Sequence, residues 1–196
     1  MAEETVVACL ALGHRCGFEE EHSRQDARLA VRLFDLAYDL HHLDDEYRDL
    51  LYYAGLLHDI GYVDVYWGHH KTAYKLIIKA DLPGLSDREK QLVANIARYH
   101  RGARPKLKHP GYASLDQDDR EIVTMLGSIL RLADGLDRGH TDAVQGLDLW
   151  LEGDDLTVLG DCPLGCTAEG WAGQKKGRFF GDVFGVQVRV RPRAAA

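Results

Sequence analysis

Apolar residues in the first 140 positions of the chain recur every three to four residues, which is the period of an amphipathic helix. Glycines and the turn at 82–84 interrupt this pattern and separate its segments. The pattern predicts six helices, which run over about Glu3 to Cys16, Glu19 to Leu43, Asp44 or Asp45 to Gly61, His69 to the turn at 82–84, Ser86 to Gly102, and Gln117 to Arg138.

The pattern changes near Thr141. Residues 147–151 alternate between apolar and polar, as do residues 156–159, and the turn at 153–155 joins them, so we expect a β-hairpin. Residues 167–180 predict a short helix, and residues 186–190 a third strand. The expected fold is therefore mainly α: a helical bundle over residues 1–140, followed by a small β-β-α-β subdomain over 141–196.

Composition narrows the classes of protein to consider. The chain has 196 residues, of which 45% are hydrophobic, enough for one ordinary domain with a small appendage. Its formal net charge is −7, which argues against general affinity for nucleic acid or an anionic membrane. The N-terminus is acidic, without the basic start of a signal peptide, so we expect a cytoplasmic location.

The four cysteines do not form a dense, even framework, and we expect reduced thiols. Cys162 and Cys166 flank Pro163-Leu164-Gly165, a spacing that also occurs in zinc clips. No second close pair accompanies them, so turn residues are the better interpretation.

The pair His58-Asp59 carries the first chemical signal. It directly follows the apolar Leu56-Leu57 at the expected buried end of a helix. Burying an unpaired ionisable group costs several kcal/mol. Imidazole and carboxylate are both good ligands for divalent first-row metals, so a bound ion is a simple way to satisfy the pair.

Four further residues complete the expected metal site, each near a helix end or on an apolar face: His22, His69, His100 and Asp134. Taken singly, each is as well explained by a hydrogen-bonded core histidine, a solvated helix end or a surface ion pair. Together they predict a site at the centre of a bundle, since separate helices can direct ligands to one point. The six residues suffice for two ions bridged by Asp59. Alternatively, His22, His58, Asp59 and Asp134 hold one ion.

The order H…HD…H…H…D resembles that of the HD-domain phosphohydrolases, which take their name from a His-Asp pair like the one at 58–59. A closer resemblance, to the C-terminal half of exopolyphosphatase/guanosine-pentaphosphate phosphatases, covers about residues 20–192. The strings that carry it lie at 57–61, 69–71, 81–85, 98–101, 130–134, 169–171, 179–180 and 183–185. In that family this half follows an actin-like phosphatase portion that has no counterpart here, so the active site of that portion cannot be carried over.

The resemblance implies an HD-type phosphohydrolase that uses one or two divalent ions (Mn, Fe, Zn, Mg, Ni or Co) on a nucleotide, guanosine tetra/pentaphosphate or polyphosphate. His69 is preferred to His70 as a ligand because it stands four residues before the small residue Ala73, where the related pattern has glycine. We expect catalytic roles for Asp59, Lys71 and Arg101, and phosphate binding by Lys71, Arg98, Arg101 and Arg131. The general base is left open among Asp64, Glu89 and Asp137.

The resemblance also implies a homodimer. In the related family this half helps to bind the polyanion and to dimerise. The alternative function is therefore a non-catalytic module that binds a polyanion or nucleotide, or dimerises, and keeps the metal site for structure.

Overall fold

The computed structural model describes residues 1–63, 68–163 and 165–193. The helices run, in chain order, over α1 (Glu3–Arg15), α2 (Glu20–Leu36), α3 (Tyr38–His41), α4 (Asp45–Leu57), α5 (His69–Lys79), α6 (Asp87–Tyr99), α7 (Pro110–Ala113), α8 (Gln117–Leu136) and α9 (Thr167–Phe184). A 3₁₀ turn at Ile60–Val63 follows α4. The strands are β1 (Gly146–Glu152), β2 (Asp155–Asp161) and β3 (Gln187–Pro192). The mainly α fold with a small C-terminal sheet is confirmed.

The sequence marks the helix starts accurately where a side chain caps them. At α6 the Ser86 hydroxyl accepts from the Glu89 backbone N–H, and the Glu89 carboxylate accepts from the Ser86 N–H at 2.7 Å, which is a capping box. At α8 the Asp116 carboxylate accepts from the Asp119 N–H at 2.8 Å. These bonds satisfy backbone donors that have no partner within the helix.

The core forms where the long helices pack. Helix α2 contacts α4 and α8, and α6 contacts α4, α5 and α8. One cluster of buried apolar side chains runs through all of these helices and continues into β1, β2 and α9. This packing brings the first half of α2, the ends of α4 and α6 and the last turn of α8 close together. No helix within the described ranges is long and apolar enough to cross a membrane.

The predicted second helix is too long. Instead of reaching Leu43, α2 ends at Leu36, and α3 forms a separate turn that ends at His42 with φ of 50°. The His41 side chain stabilises this break: its Nε2 donates to the Phe34 carbonyl at 2.8 Å, and its Nδ1 accepts from the Leu43 N–H at 2.9 Å. The apolar period continues through the break, so the sequence pattern did not reveal it.

The C-terminal part contains the predicted β-hairpin. Strands β1 and β2 pair antiparallel, whereas β3 pairs parallel to β2, which gives the sheet order β1-β2-β3. Helix α9 connects β2 to β3 and packs along α8. At this contact a Cβ atom added to Gly135 would lie 2.9 Å from the Cα of Gly173, so glycine permits the close approach of the two helices.

The cysteine prediction is wrong for one pair. Cys162 and Cys166 do lie at a turn, closed by a hydrogen bond from the Gly165 N–H to the Cys162 carbonyl at 3.0 Å. However, they form a disulfide instead of remaining reduced, with their Cα atoms 5.7 Å apart. The turn brings the two Cα atoms within the range a disulfide needs, which spacing along the chain does not disclose.

Thiol titration tests this correction. Unfolding in guanidinium without a reductant is expected to expose two reactive thiols, those of Cys9 and Cys16, and prior reduction is expected to give four. In the native protein Cys9 stays unreactive, because burial raises its pKa to about 12. Four thiols in the unreduced, unfolded protein would show that the disulfide does not form.

Candidate metal centre

The candidate centre has two histidines placed in the same way at two helix ends. His58 follows α4 and His100 follows α6. Each donates its Nδ1 hydrogen to the carbonyl three residues earlier, His58 to Gly55 at 2.7 Å and His100 to Ala97 at 2.6 Å. This bond leaves Nε2 with a lone pair. Burial lowers the pKa of both imidazoles, which favours the neutral form that binds a metal.

Helix α2 contributes His22 and Asp26, which lie one turn apart. His22 donates from Nδ1 to the Asp137 carboxylate at 2.8 Å, so its Nε2 faces the site. Asp26 is fully buried, and neither carboxylate oxygen has a hydrogen-bond partner among the described residues. Its Oδ2 lies 3.3 Å from His58 Nε2 and 3.7 Å from His22 Nε2.

Asp59 lies between two groups of histidines. Its Oδ2 is 3.6 Å from His58 Nε2 and 3.7 Å from His22 Nε2. Its Oδ1 is 3.0 Å from His69 Nε2 and 3.4 Å from His100 Nε2. Burial alone would raise the pKa of Asp59, but His58, His69 and His100 hold it well below its usual range. The Asp59 carboxylate therefore contacts both pairs of histidines, His22 with His58 and His69 with His100.

The start of α5 places His69 at this carboxylate. The preceding 3₁₀ turn packs so closely that a Cβ atom added to Gly61 would lie 2.0 Å from the His69 carbonyl oxygen. The alternative residue, His70, instead has its ring against Gly102. Burial lowers the pKa of His70 to about 4. The structure thus directs His69, not His70, at Asp59.

Asp134 completes the cluster from the last turn of α8, so all six predicted metal ligands come together. The potential ligand atoms of His22, Asp26, His58 and Asp134 lie within 4.8 Å of one another, as do those of His58, Asp59 and His100. Asp134 also forms an ion pair with Lys176 of α9. Burial would raise the pKa of Asp134, but Lys176, His100 and His58 keep it well below its usual range.

The electrostatic environment favours a positive charge in this cluster. Burial disfavours protonation of His22, but the hydrogen bond to Asp137 and the charges of Asp26, Asp134 and Asp59 outweigh it and raise the pKa of His22 to about 9. Burial raises the pKa of Asp26 well above its usual range. Imidazole nitrogens and carboxylate oxygens are the donors that divalent first-row metals take, so these residues fit such an ion.

A cavity of about 620 Å³ opens onto Asp59, His100 and Asp134. Among the described residues of its lining, Asp59 and Asp134 are the only acids, against seven basic residues, although the chain as a whole is acidic. The basic residues are Arg101, Arg104, Arg131, Arg138, Lys175, Lys176 and Arg178. The cavity is therefore suited to an anion.

Two of the predicted phosphate-binding residues lie in this cavity. Arg101 donates to the Tyr62 hydroxyl at 3.2 Å and approaches His69 Nε2 at 3.4 Å. Arg131 donates to the Gly102 carbonyl at 3.0 Å, and its guanidinium packs against the Phe179 ring.

The other two predicted cations, Lys71 and Arg98, do not line the cavity. Lys71 is exposed on the first turn of α5. Arg98 lies over the rings of Tyr74 and Tyr99, with its guanidinium 5.6 Å from each centroid. The catalytic role of Lys71 stays a prediction.

The three possible general bases have different positions. Asp137 is buried and accepts from His22 and from the Asp142 N–H at 3.1 Å, so it positions His22. Glu89 caps α6, and Asp64 lies outside the described residues.

Three residues of the cluster were missed as site residues in the sequence. Asp26 stands four residues after His22 on the same helical face, and this spacing was a usable signal. Asp137 was considered only as a base, although it lies three residues after Asp134. Lys176 had no sequence signal, because only the packing of α9 on α8 brings it to Asp134.

Comparison with protein families matches residues 5–157 to a family model described as Ppx/GppA phosphatase, domain III. The matched region begins in α1 and ends in β2, and it contains all six predicted metal ligands. Comparison with curated proteins finds no match.

Proposed function

Because the chain belongs to the family of the Ppx/GppA phosphatase domain III, we propose that it is a metal-dependent phosphohydrolase acting on a phosphate ester or anhydride. One observation carries the proposal. Buried ligand atoms of His22, Asp26 and His58 have no hydrogen-bond partner among the described residues, although they face one another. Leaving such atoms unsatisfied costs several kcal/mol, and a divalent ion would satisfy them together.

Two sets of residues would hold the ion or ions. The first set supplies two imidazoles and two carboxylates, from His22, Asp26, His58 and Asp134. The second set supplies Asp59 Oδ1, His69 and His100. His58 has only Nε2 available, because Nδ1 is bonded to Gly55, so it serves one ion. The first set has more carboxylates, and we expect it to hold the tighter ion, of Mn, Fe, Zn, Mg, Ni or Co.

A divalent ion held there would supply a Lewis acid for a phosphoryl oxygen and would lower the pKa of bound water from about 15.7 towards 7. The chain's own residues supply the rest. Arg101 and Arg131 bind phosphate oxygens at the cavity wall through their planar guanidinium groups. The Ala97 carbonyl fixes the ring orientation of His100, and the Asp137 carboxylate fixes that of His22.

The charge of the cavity supports a substrate that carries several phosphates, such as a nucleotide, guanosine tetra/pentaphosphate or polyphosphate. Seven basic residues exceed what one phosphate group needs. A second candidate function is supported by the match to one numbered domain of a phosphatase family. In that case the chain would bind the polyanion, or dimerise, without turning it over.

Phosphate release from a substrate panel separates the two functions. We expect turnover of at least one of nucleoside triphosphates, guanosine tetra/pentaphosphate and polyphosphate in the presence of Mn²⁺. We also expect EDTA to abolish the turnover and added Mn²⁺ to restore it, because the ion is part of the site. Tight binding of a polyanion with no release under any metal would contradict the enzyme and support the binding module.

A further inference from the structure

Lys176 is bound to one of the proposed metal ligands. Its ammonium forms an ion pair with Asp134 Oδ2. The side chains are 23% and 12% exposed, so water screens the pair only in part. Both residues line the basic cavity. The pair therefore lies where the six predicted metal ligands meet the basic cavity that is proposed to bind phosphate.

A divalent ion and the Lys176 ammonium compete for the same carboxylate. Two cations in contact with one carboxylate repel each other strongly at this degree of burial, as like charges a few ångströms apart do. We propose that Lys176 is a counter-ion that a divalent ion displaces from Asp134, and that the displaced ammonium becomes a phosphate-binding group of the cavity. This inference rests on the proposed metal site.

Once it is displaced from Asp134, the Lys176 ammonium would bind an anionic ligand in the cavity, because the described lining offers it no other free acid. The other acid that lines the cavity is Asp59, which His58, His69 and His100 already surround. In the part of the lining that the structure describes, every other charged residue is basic. The ammonium sits on a flexible four-carbon stem and can turn from Asp134 towards the cavity. Metal binding thus adds one positive charge to the place where phosphate binds.

The adjacent residue Lys175 provides a matched control. It lines the same cavity and carries the same charge. Its ammonium, however, lies over the Trp171 ring, 5.0 Å from the centroid. Neutralising Lys175 should remove a cavity charge without affecting the competition for Asp134.

Calorimetric titration of Mn²⁺ into wild type, Lys176→Met and Lys175→Met tests the displacement. Removing the competing ammonium is expected to tighten Mn²⁺ binding about tenfold in Lys176→Met, whereas Lys175→Met stays within about twofold of wild type. The charge-retaining Lys176→Arg is expected to bind Mn²⁺ as wild type does. Lys176→Gln is the second neutral variant if Lys176→Met does not fold.

Titration of inorganic phosphate into the Mn²⁺-saturated proteins tests the second half of the proposal. Phosphate binding is expected to weaken about tenfold in Lys176→Met, so one substitution shifts the two affinities in opposite directions. Unchanged or weaker Mn²⁺ binding by the neutral variants would overturn the displacement, and unchanged phosphate binding would overturn the anion role. Wild-type protein that binds no Mn²⁺ would instead contradict the metal site itself.

Discussion

Replacing His58 and Asp59 together with alanine is expected to abolish metal binding and to reduce phosphate release to background. His58 belongs to the first proposed set of ligands and Asp59 to the second, so neither set remains complete in the double variant. Both residues follow the end of α4, and the far-UV circular dichroism should therefore remain largely helical. Deleting the buried His58 side chain is expected to cost about 2–5 kcal/mol of stability, as other large-to-small core substitutions do.

His41→Ala is the matched control for this variant. His41 is a buried histidine whose two nitrogens bond to the backbone near α3, and it is not part of the donor cluster. It should lose stability but keep its metal and its turnover. Retained hydrolysis in the double variant would mean that the reaction occurs at another site or in a contaminating phosphatase.

Asp26→Asn is expected to lower the affinity for the metal by at least about 100-fold and to change the metal-free protein little. Burial already favours the neutral carboxyl, since the pKa of Asp26 lies well above its usual range, and asparagine has nearly the same shape. An ion at 100 times its Kd adds about 2.7 kcal/mol to stability. In a domain of this size that corresponds to a rise in Tm of about 5–10 °C. Thermal melts with Mn²⁺ and with EDTA should show this rise in wild type and not in the variant.

Asp119→Asn distinguishes loss of a ligand from loss of any buried acid. Asp119 is buried and pairs with Arg88 at 2.5 Å near the start of α8. The control should melt at a lower temperature with or without metal, while the rise caused by Mn²⁺ is preserved. A full Mn²⁺-dependent rise in Asp26→Asn would exclude Asp26 from the site.

Most of the fold could be predicted because its signals are local. The period of apolar residues marks the long helices, and the capping box at Ser86 marks the start of α6. Alternation of apolar and polar residues marks the hairpin of β1 and β2. The end of α2 at Leu36 depends on hydrogen bonds of the His41 side chain, and the disulfide depends on the geometry of a turn. Neither leaves a periodic trace.

In the candidate site, too, local signals pointed to some residues, whereas others depend on how distant parts of the chain pack. Each of the six predicted metal ligands stands near a helix end or on an apolar face, and the packing of the helices brings the six together. Lys176 and the basic cavity depend on the position of α9, which the sequence did not supply. Lys71 and Arg98 were chosen for proximity along the chain, and their side chains do not line the cavity. The homodimer and the division at residue 140 stay predictions.

The metal content of the protein tests the central claim most directly. Protein purified without chelators and dialysed briefly should be measured by inductively coupled plasma mass spectrometry against a quantitative protein concentration. Convergence of His22, Asp26, His58 and Asp134 on one ion predicts at least one divalent first-row metal per chain, and two if Asp59, His69 and His100 are also filled. A chain that carries no metal, and takes up none from excess Mn²⁺, Fe²⁺ or Zn²⁺, would contradict the account.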